Sequence, residues 1–277
     1  MSGLLQLARP FNCVMSAVGV LIGGVVAVGA RAWGVFAGPL VLAAVAAMVF
    51  TAGGNALNDL YDRETDKVNH PDRPLPSGKL SLRAARAFAA GAFLVAAVLA
   101  VFVNVYCLAV VAVNATFMVT YEARLKAVGA PGNVVIAYLV GSLFLFAGLA
   151  VLSSDTDPLI RATILAVLAF CATLGREITK DIEDMAGDVD RRTLPQRIGA
   201  KPAGGVAAAA LMAGVVLSFV PWMYGVLPVS YLAVVLVADG MFIYAALHSA
   251  ANPSRSQRVT KYAMIVALVA FLAGGLL

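Results

Sequence analysis

The sequence predicts an all-α, polytopic membrane protein with nine transmembrane helices. Three observations carry that prediction. The 277 residues are 61% hydrophobic and only 13% charged, whereas a soluble domain carries about 25% charged residues. The apolar residues fall into nine runs, each close to the roughly 20 residues that a helix needs to cross a bilayer. The basic residues sort onto alternate connections between those runs, as the positive-inside rule requires.

The runs are, in order, 11–30, 36–57, 84–103, 105–121, 132–152, 159–177, 203–220, 226–247 and 260–277. The first follows Arg9 and Pro10. It resembles a cleaved signal segment only superficially, because it is long, carries Pro10 and Asn12 and precedes eight further runs. Its Gly19-x-x-x-Gly23 spacing and the alanine-rich seventh run suit close helix approach in lipid. The third and fourth runs meet near Asn104, and the seventh and eighth are divided only by Pro221, Trp222 and Pro228. Nine spans with short connections leave no room for a soluble second domain, which excludes an ordinary soluble enzyme. Cys13, Cys107 and Cys171 form no CxxC or Cys/His cluster, so neither a disulfide framework nor a zinc site is indicated.

With nine spans, the N-terminus and the connections after spans two, four, six and eight share one side. That side holds every Lys and Arg except Arg31 and Arg161. It therefore faces the cytoplasm, and the C-terminus lies outside. A missed span would scramble this sorting.

The acids crowd the same side, although orientation does not require it, since Asp and Glu contribute little to topology. Only Asp155, Asp157 and Asp239 lie elsewhere. If the second helix continues past its apolar run, Asn55, Asn58, Asp59, Asp62 and Asp66 fall on one face. A continued sixth helix likewise aligns Glu177, Asp181, Asp184 and Asp188. Each stripe contains DxxxD, which hints at an internal duplication. Like charges one turn apart repel, so something cationic is needed among them. Carboxylate and amide oxygens suit Mg²⁺, which commonly bridges protein carboxylates to substrate phosphates. Arg63, Lys67, Arg73, Lys126, Arg176 and Lys180 are interleaved with the acids and would meet the remaining oxygens of a polyanionic substrate.

The runs NALNDLYDRETDKVNHPDRPLPSG (55–78) and REITKDIEDMAGD (176–188) resemble the two aspartate-rich motifs of the UbiA superfamily of intramembrane prenyltransferases. The resemblance spans the whole chain, 1–277, as a single transmembrane prenyltransferase domain with motif loops at 58–82 and 178–202. It implies nine helices around a central lipid-open chamber with cytosolic cap loops. The form DKVNHPDRPLPSG, with Thr193-Leu194-Pro195 after the second motif, is most similar to an archaeal ether-lipid branch. That branch adds a second geranylgeranyl chain to geranylgeranylglyceryl phosphate. Pro71-Asp72-Arg73-Pro74 stands in place of the RTxxRPL form of the aromatic-acid and haem branches, and His70 stands where that ether-lipid branch is expected to carry a basic residue.

Carried over by motif, the resemblance makes Asn58, Asp62, Asp66, Asp184 and Asp188 metal ligands. Asp62, Asp66, Asp184, Asp188, Lys126 and Tyr121 become the catalytic set. Arg73, Lys180, Arg63, Lys67, Asn12, Asp181 and Asp59 become substrate-binding residues. For Tyr121 an interfacial-belt role stands beside this one, and for Asn12 that of a helix-start residue. Asp239, inside the eighth run, reads either as a paired structural acid or as a chamber residue.

The expected chemistry is Mg²⁺-dependent transfer of a geranylgeranyl group from geranylgeranyl diphosphate to geranylgeranylglyceryl phosphate. An aromatic acceptor such as 4-hydroxybenzoate or a quinone precursor is the alternative. A cation transporter is a more distant one, disfavoured because the acids cluster at helix ends rather than near the midplane. The partners are thus a prenyl diphosphate donor, a lipid or aromatic acceptor and membrane lipids. No nucleic acid or obligate protein partner is expected.

Overall fold

The computed structural model describes residues 3–185, 187 and 192–276, and no strand occurs among them. Asp188 of the second motif lies outside the described residues. Among the described residues, eight helical segments are long and apolar enough to cross a membrane. The helices are α1 (Gly3–Ala8), α2 (Pro10–Tyr61), α3 (Arg63–Asn69), α4 (Leu82–Val103), α5 (Val105–Ala123), α6 (Ala130–Ala150), α7 (Asp157–Asp184), α8 (Leu194–Ile198), α9 (Ala200–Leu217), α10 (Val220–Met223), α11 (Val229–His248) and α12 (Pro253–Leu276).

Sequence reasoning put the first interhelical break at 31–35, and the structure moves it to Gly29. The 52 residues of α2 would make a rod of about 78 Å. Gly29 instead adopts φ 73°, ψ 159°, a conformation open to glycine and closed to its β-carbon-bearing neighbours. The segment 31–35 has no proline and carries one charge, so nothing in it ends the helix. That the chain doubles back is plain from Ser16 Oγ, which lies 3.3 Å from the Ala47 carbonyl oxygen although 31 residues separate them.

The chain forms two compact units. The first comprises Met1–Leu21 and Val35–Ala123, the second Ile22–Gly34 and Arg124–Leu277. In the first unit, α4 buries an alanine stripe, Ala85, Ala89, Ala92, Ala96 and Ala100, while Leu94 and Phe102 are 66% and 74% exposed. In water this would be inside out. In lipid the bulky residues need no shelter, and the small ones let backbones approach. Ser81 Oγ caps α4 by accepting from the Ala84 N–H, and the Asn104 side chain caps α5 through the Cys107 N–H. Leu7, Ala56, Leu75, Ala85 and Ala89 gather α1, the end of α2, the motif loop and α4 into one cluster.

In the second unit, α6 packs along α7, and α11 along α12. Phe144, Leu165, Leu168, Tyr231, Val235 and Phe271 form the centre of its core. At 28 residues, α7 is about 42 Å long. That exceeds the ~30 Å hydrocarbon core, so its polar end can project beyond the bilayer.

Candidate active site

The two motif segments are more helical than loops. Residues 58–61 complete α2, 63–69 form α3, and 178–184 complete α7. The predicted face through Asp66 is bent rather than straight. Asp62 sits between α2 and α3 at φ −82°, ψ 2°, yet the helical bonding survives it: the Asp62 N–H donates to Asn58 O and the Asp66 N–H to Asp62 O. Asn58, Asp59, Asp62 and Asp66 thus remain on successive turns.

In the first unit these residues build a charged network. Asp59 is 2% exposed and Asp66 4%. Two arginines supply the cations that the repelling acids require. Arg9 donates from Nη2 to Asp59 Oδ1, and also to Asn58 Oδ1 at 3.3 Å. Arg73 Nη1 donates to both oxygens of Asp66, at 2.8 and 2.6 Å, and lies 3.6 Å from Asp59 Oδ1. One nitrogen bridging two oxygens means that Asp66 turns both toward the same cation. The Asn58 amide is fixed from its other end, where Nδ2 donates to Glu122 Oε1 at 2.8 Å. Glu122 is itself buried.

Arg9 and Glu122 were missed as site members by sequence reasoning. Among the described residues Arg9 is the one non-glycine residue with positive φ, at 51°, and this break before Pro10 swings its side chain onto α2. The preceding carbonyl, of Ala8, accepts from Asn55 Nδ2 at 2.8 Å, so α1 is tied to the same helix end. Arg63 and Lys67 are not brought to this network. Both donate to exposed Glu64, and these bonds, that of Lys67 first, hold its carboxyl below the usual range. Asn12 is exposed, one turn past the Arg9 break, and His70 is an exposed residue at the end of α3.

In the second unit, Asp181 accepts from Asn133 Nδ2 at 2.8 Å, which links α6 to the second motif. Asp184 and Lys180 are exposed on α7, and Arg176 donates to Glu177. Lys126 lies in a short 3-10 turn, Leu125–Ala127, and is half-buried. That turn is fastened to the segment after the second motif by the Arg192 N–H, which donates to Ala127 O at 2.9 Å. Gly129 makes the approach possible. At φ 82°, a β-carbon there would stand 2.6 Å from Thr193 Cα. Tyr121, near the end of α5, is half-buried in the first unit. Asp239 is buried within α11 and accepts from Ser218 Oγ at 2.8 Å, so its partner is structural. Among the described residues, no three His, Cys, Asp or Glu side chains converge as a ready-made metal cage.

The family model for the UbiA prenyltransferase family matches residues 16–273. The chain belongs to the UbiA prenyltransferase family. It is accordingly a prenyltransferase and a multi-pass membrane protein. Digeranylgeranylglyceryl phosphate synthase of Methanopyrus kandleri is 44% identical to it over 99% of both chains. A solved structure of digeranylgeranylglyceryl phosphate synthase, 32% identical, matches with a TM-score of 0.86 and covers 99% of this chain and 97% of that one. A UbiA homologue from Archaeoglobus fulgidus, solved with GPP and Mg²⁺, shares the fold at 17% identity and a TM-score of 0.65, covering 99% of this chain and 98% of its own.

Proposed function

We propose that this family member transfers a geranylgeranyl group from geranylgeranyl diphosphate to the hydroxyl of geranylgeranylglyceryl phosphate, in archaeal ether-lipid synthesis. The observation that carries the proposal is the 44% identity to a digeranylgeranylglyceryl phosphate synthase across 99% of each chain. The chain is taken as one domain, 1–277. Nine spans, supported by the doubling-back of α2 at Gly29, put the motif segments and N-terminus in the cytoplasm and the C-terminus outside.

Asn58, Asp62, Asp66, Asp184 and Asp188 would hold Mg²⁺, because all are hard oxygen donors and the two DxxxD pairs recur at two helix ends. When bound, the metal supplies Lewis-acid neutralisation of the diphosphate. The rest falls to the chain's own groups. Arg73, Lys126 and Lys180 share the charge on the departing diphosphate as the C1–O bond breaks. Asp59 and Asp181, held by Arg9 and Asn133, orient their neighbours rather than react. Tyr121 offers a ring to positive charge developing at C1. The acceptor oxygen forms the new bond to C1, and its proton passes to a carboxylate or to the released diphosphate. The surrounding apolar helices exclude water, which would otherwise capture the allylic cation. Arg63 and Lys67, which lie against exposed Glu64 rather than in the Asp59–Asp66 network, are left out of this set.

The test is an assay of purified protein with radiolabelled geranylgeranyl diphosphate against geranylgeranylglyceryl phosphate and 4-hydroxybenzoate in parallel. Label is expected in the ether lipid. Label in the aromatic product alone would replace the lipid acceptor by the aromatic one.

A further inference from the structure

The end of α2 has a second face. At about 100° per residue, Leu57, Leu60 and Tyr61 lie roughly 160° around the helix from Asn55, Asn58 and Asp59. On that rear face, α2, α3 and the start of α4 line a half-open cavity of about 470 Å³ formed by Leu57, Leu60, Tyr61, Arg63, Glu64, Leu82 and Arg86. Its floor is apolar and its rim charged, and it sits where one apolar helix ends at Tyr61 and the next begins at Leu82. In a chain whose apolar helices cross a bilayer, such helix ends fall where hydrocarbon gives way to headgroups. Tyr61, 51% exposed, suits the same boundary.

We propose that this cavity is a binding site for an anionic membrane phospholipid. Its phosphodiester would lie against Arg86 and Arg63, with a chain along Leu57, Leu60 and Leu82. Basic pockets between membrane helices recognise lipid headgroups in this way. The charge count selects the occupant. Arg63 and Arg86 bring two positive charges and Glu64 one negative, and the net single charge matches a monoanionic phosphodiester. A monoester headgroup, which approaches two negative charges at neutral pH, is disfavoured by Glu64. Arg86 is exposed and has no ion-pair partner among the described residues. Among the described residues Arg63 pairs with exposed Glu64, a bond of the weak surface kind. The cavity faces away from Asp59, so its lipid is a brace behind the motif helix and not the reacting substrate.

Native mass spectrometry of the full-length protein, titrated with phosphatidylglycerol or phosphatidylcholine, tests the proposal. Wild type should bind a first phosphatidylglycerol more tightly than phosphatidylcholine. R86Q should weaken phosphatidylglycerol about five-fold, the worth of one interfacial arginine, and leave phosphatidylcholine unchanged. R86K should keep most of the preference, and the distant charge removal R258Q all of it. Equal binding of the two lipids by wild type, or equal losses in R86Q and R258Q, would overturn the site. An Arg86-dependent preference for phosphatidic acid or geranylgeranylglyceryl phosphate over phosphatidylglycerol would overturn the chosen occupant. Because the readout is lipid binding, its failure is separable from failure of the transferase assay.

Discussion

Arg73→Gln separates a structural ion pair from a metal site. In the structure, Arg73 Nη1 contacts both Asp66 oxygens, and the side chains are 29% and 5% exposed. Removing one partner of a fully buried pair costs about 3–5 kcal/mol, and a hydrogen bond to a charged group is worth about 1.5–3 kcal/mol. The partial exposure of Arg73 places its loss near the lower end, at about 2 kcal/mol. For a protein of this size that is a fall of roughly 4–8 °C in the apparent unfolding midpoint. Thiol-reactive dye unfolding is a suitable assay, because Cys13 and Cys107 are buried and become reactive only on opening. If Asp66 is a metal ligand, the substitution also frees both its oxygens for Mg²⁺. At a hundred times its dissociation constant, Mg²⁺ restores about 2.7 kcal/mol. The variant should therefore be less stable than wild type in chelator and gain more from Mg²⁺. A merely structural Asp66 gives the first effect without the second. If R73Q is destabilised and Mg²⁺ raises it no more than it raises wild type, the assignment of Asp66 to the metal is wrong.

Four further outcomes are expected. Thorough chelation should abolish turnover and added magnesium restore it; full activity without a divalent ion would contradict the two-motif site. Asp66→Ala and Asp184→Ala should each leave less than about a tenth of wild-type turnover, since tenfold needs only ~1.4 kcal/mol of transition-state stabilisation. Asp155→Ala, which loses only the bond its carboxylate accepts from the Asp157 N–H, should turn over normally. Gly129→Ala should cost about 1–3 kcal/mol for a backbone conformation, φ 82° and ψ −112°, that suits glycine alone, and more as Thr193 is pushed away. It should raise the donor KM, because the displaced turn carries Lys126. A cysteine at Ser77, with the native cysteines replaced, should label only from the cytoplasmic side of sealed vesicles, and labelling only from outside would invert the topology.

The helices were legible because membrane burial writes itself into composition. Runs of apolar residues marked the spans, and Asn104 and Pro228 marked real ends. The error at 31–35 has a physical source. A charged residue such as Arg31 reads as a connection, yet nothing about one charge stops a helix, while Gly29, which does interrupt it, looks like any of the small residues that pack membrane helices. The motif helices also ran further than hydropathy could indicate. Their stripes are polar, and only the periodicity of Asn55, Asn58 and Asp59, or of Glu177, Asp181 and Asp184, announced that helix continued.

The acids of the site were legible for the same reason, and their counter-ions were not. Repulsion along a stripe says that a cation must be near, but spacing cannot say which one. Arg63 and Lys67 stood closest in sequence and proved to answer to Glu64. Arg9, roughly fifty residues from Asp59, answers to it through a left-handed backbone and a fold-back that no local pattern encodes. Glu122, a single acid at the end of α5, likewise carries no local pattern that ties it to Asn58, 64 residues earlier. Both arginines hold carboxylates that, on the proposed mechanism, must also serve a metal or orient its ligands. On the proposed mechanism Asp66 therefore has two claimants, the tethered Arg73 and a diffusible ion. On the proposed mechanism a diphosphate would compete for that arginine, because its oxygens accept the same hydrogen bonds as a carboxylate. The pairing around Asp59 and Asp66 balances two buried carboxylates with two arginines, Arg9 and Arg73, whose guanidinium groups can equally grip phosphate oxygens.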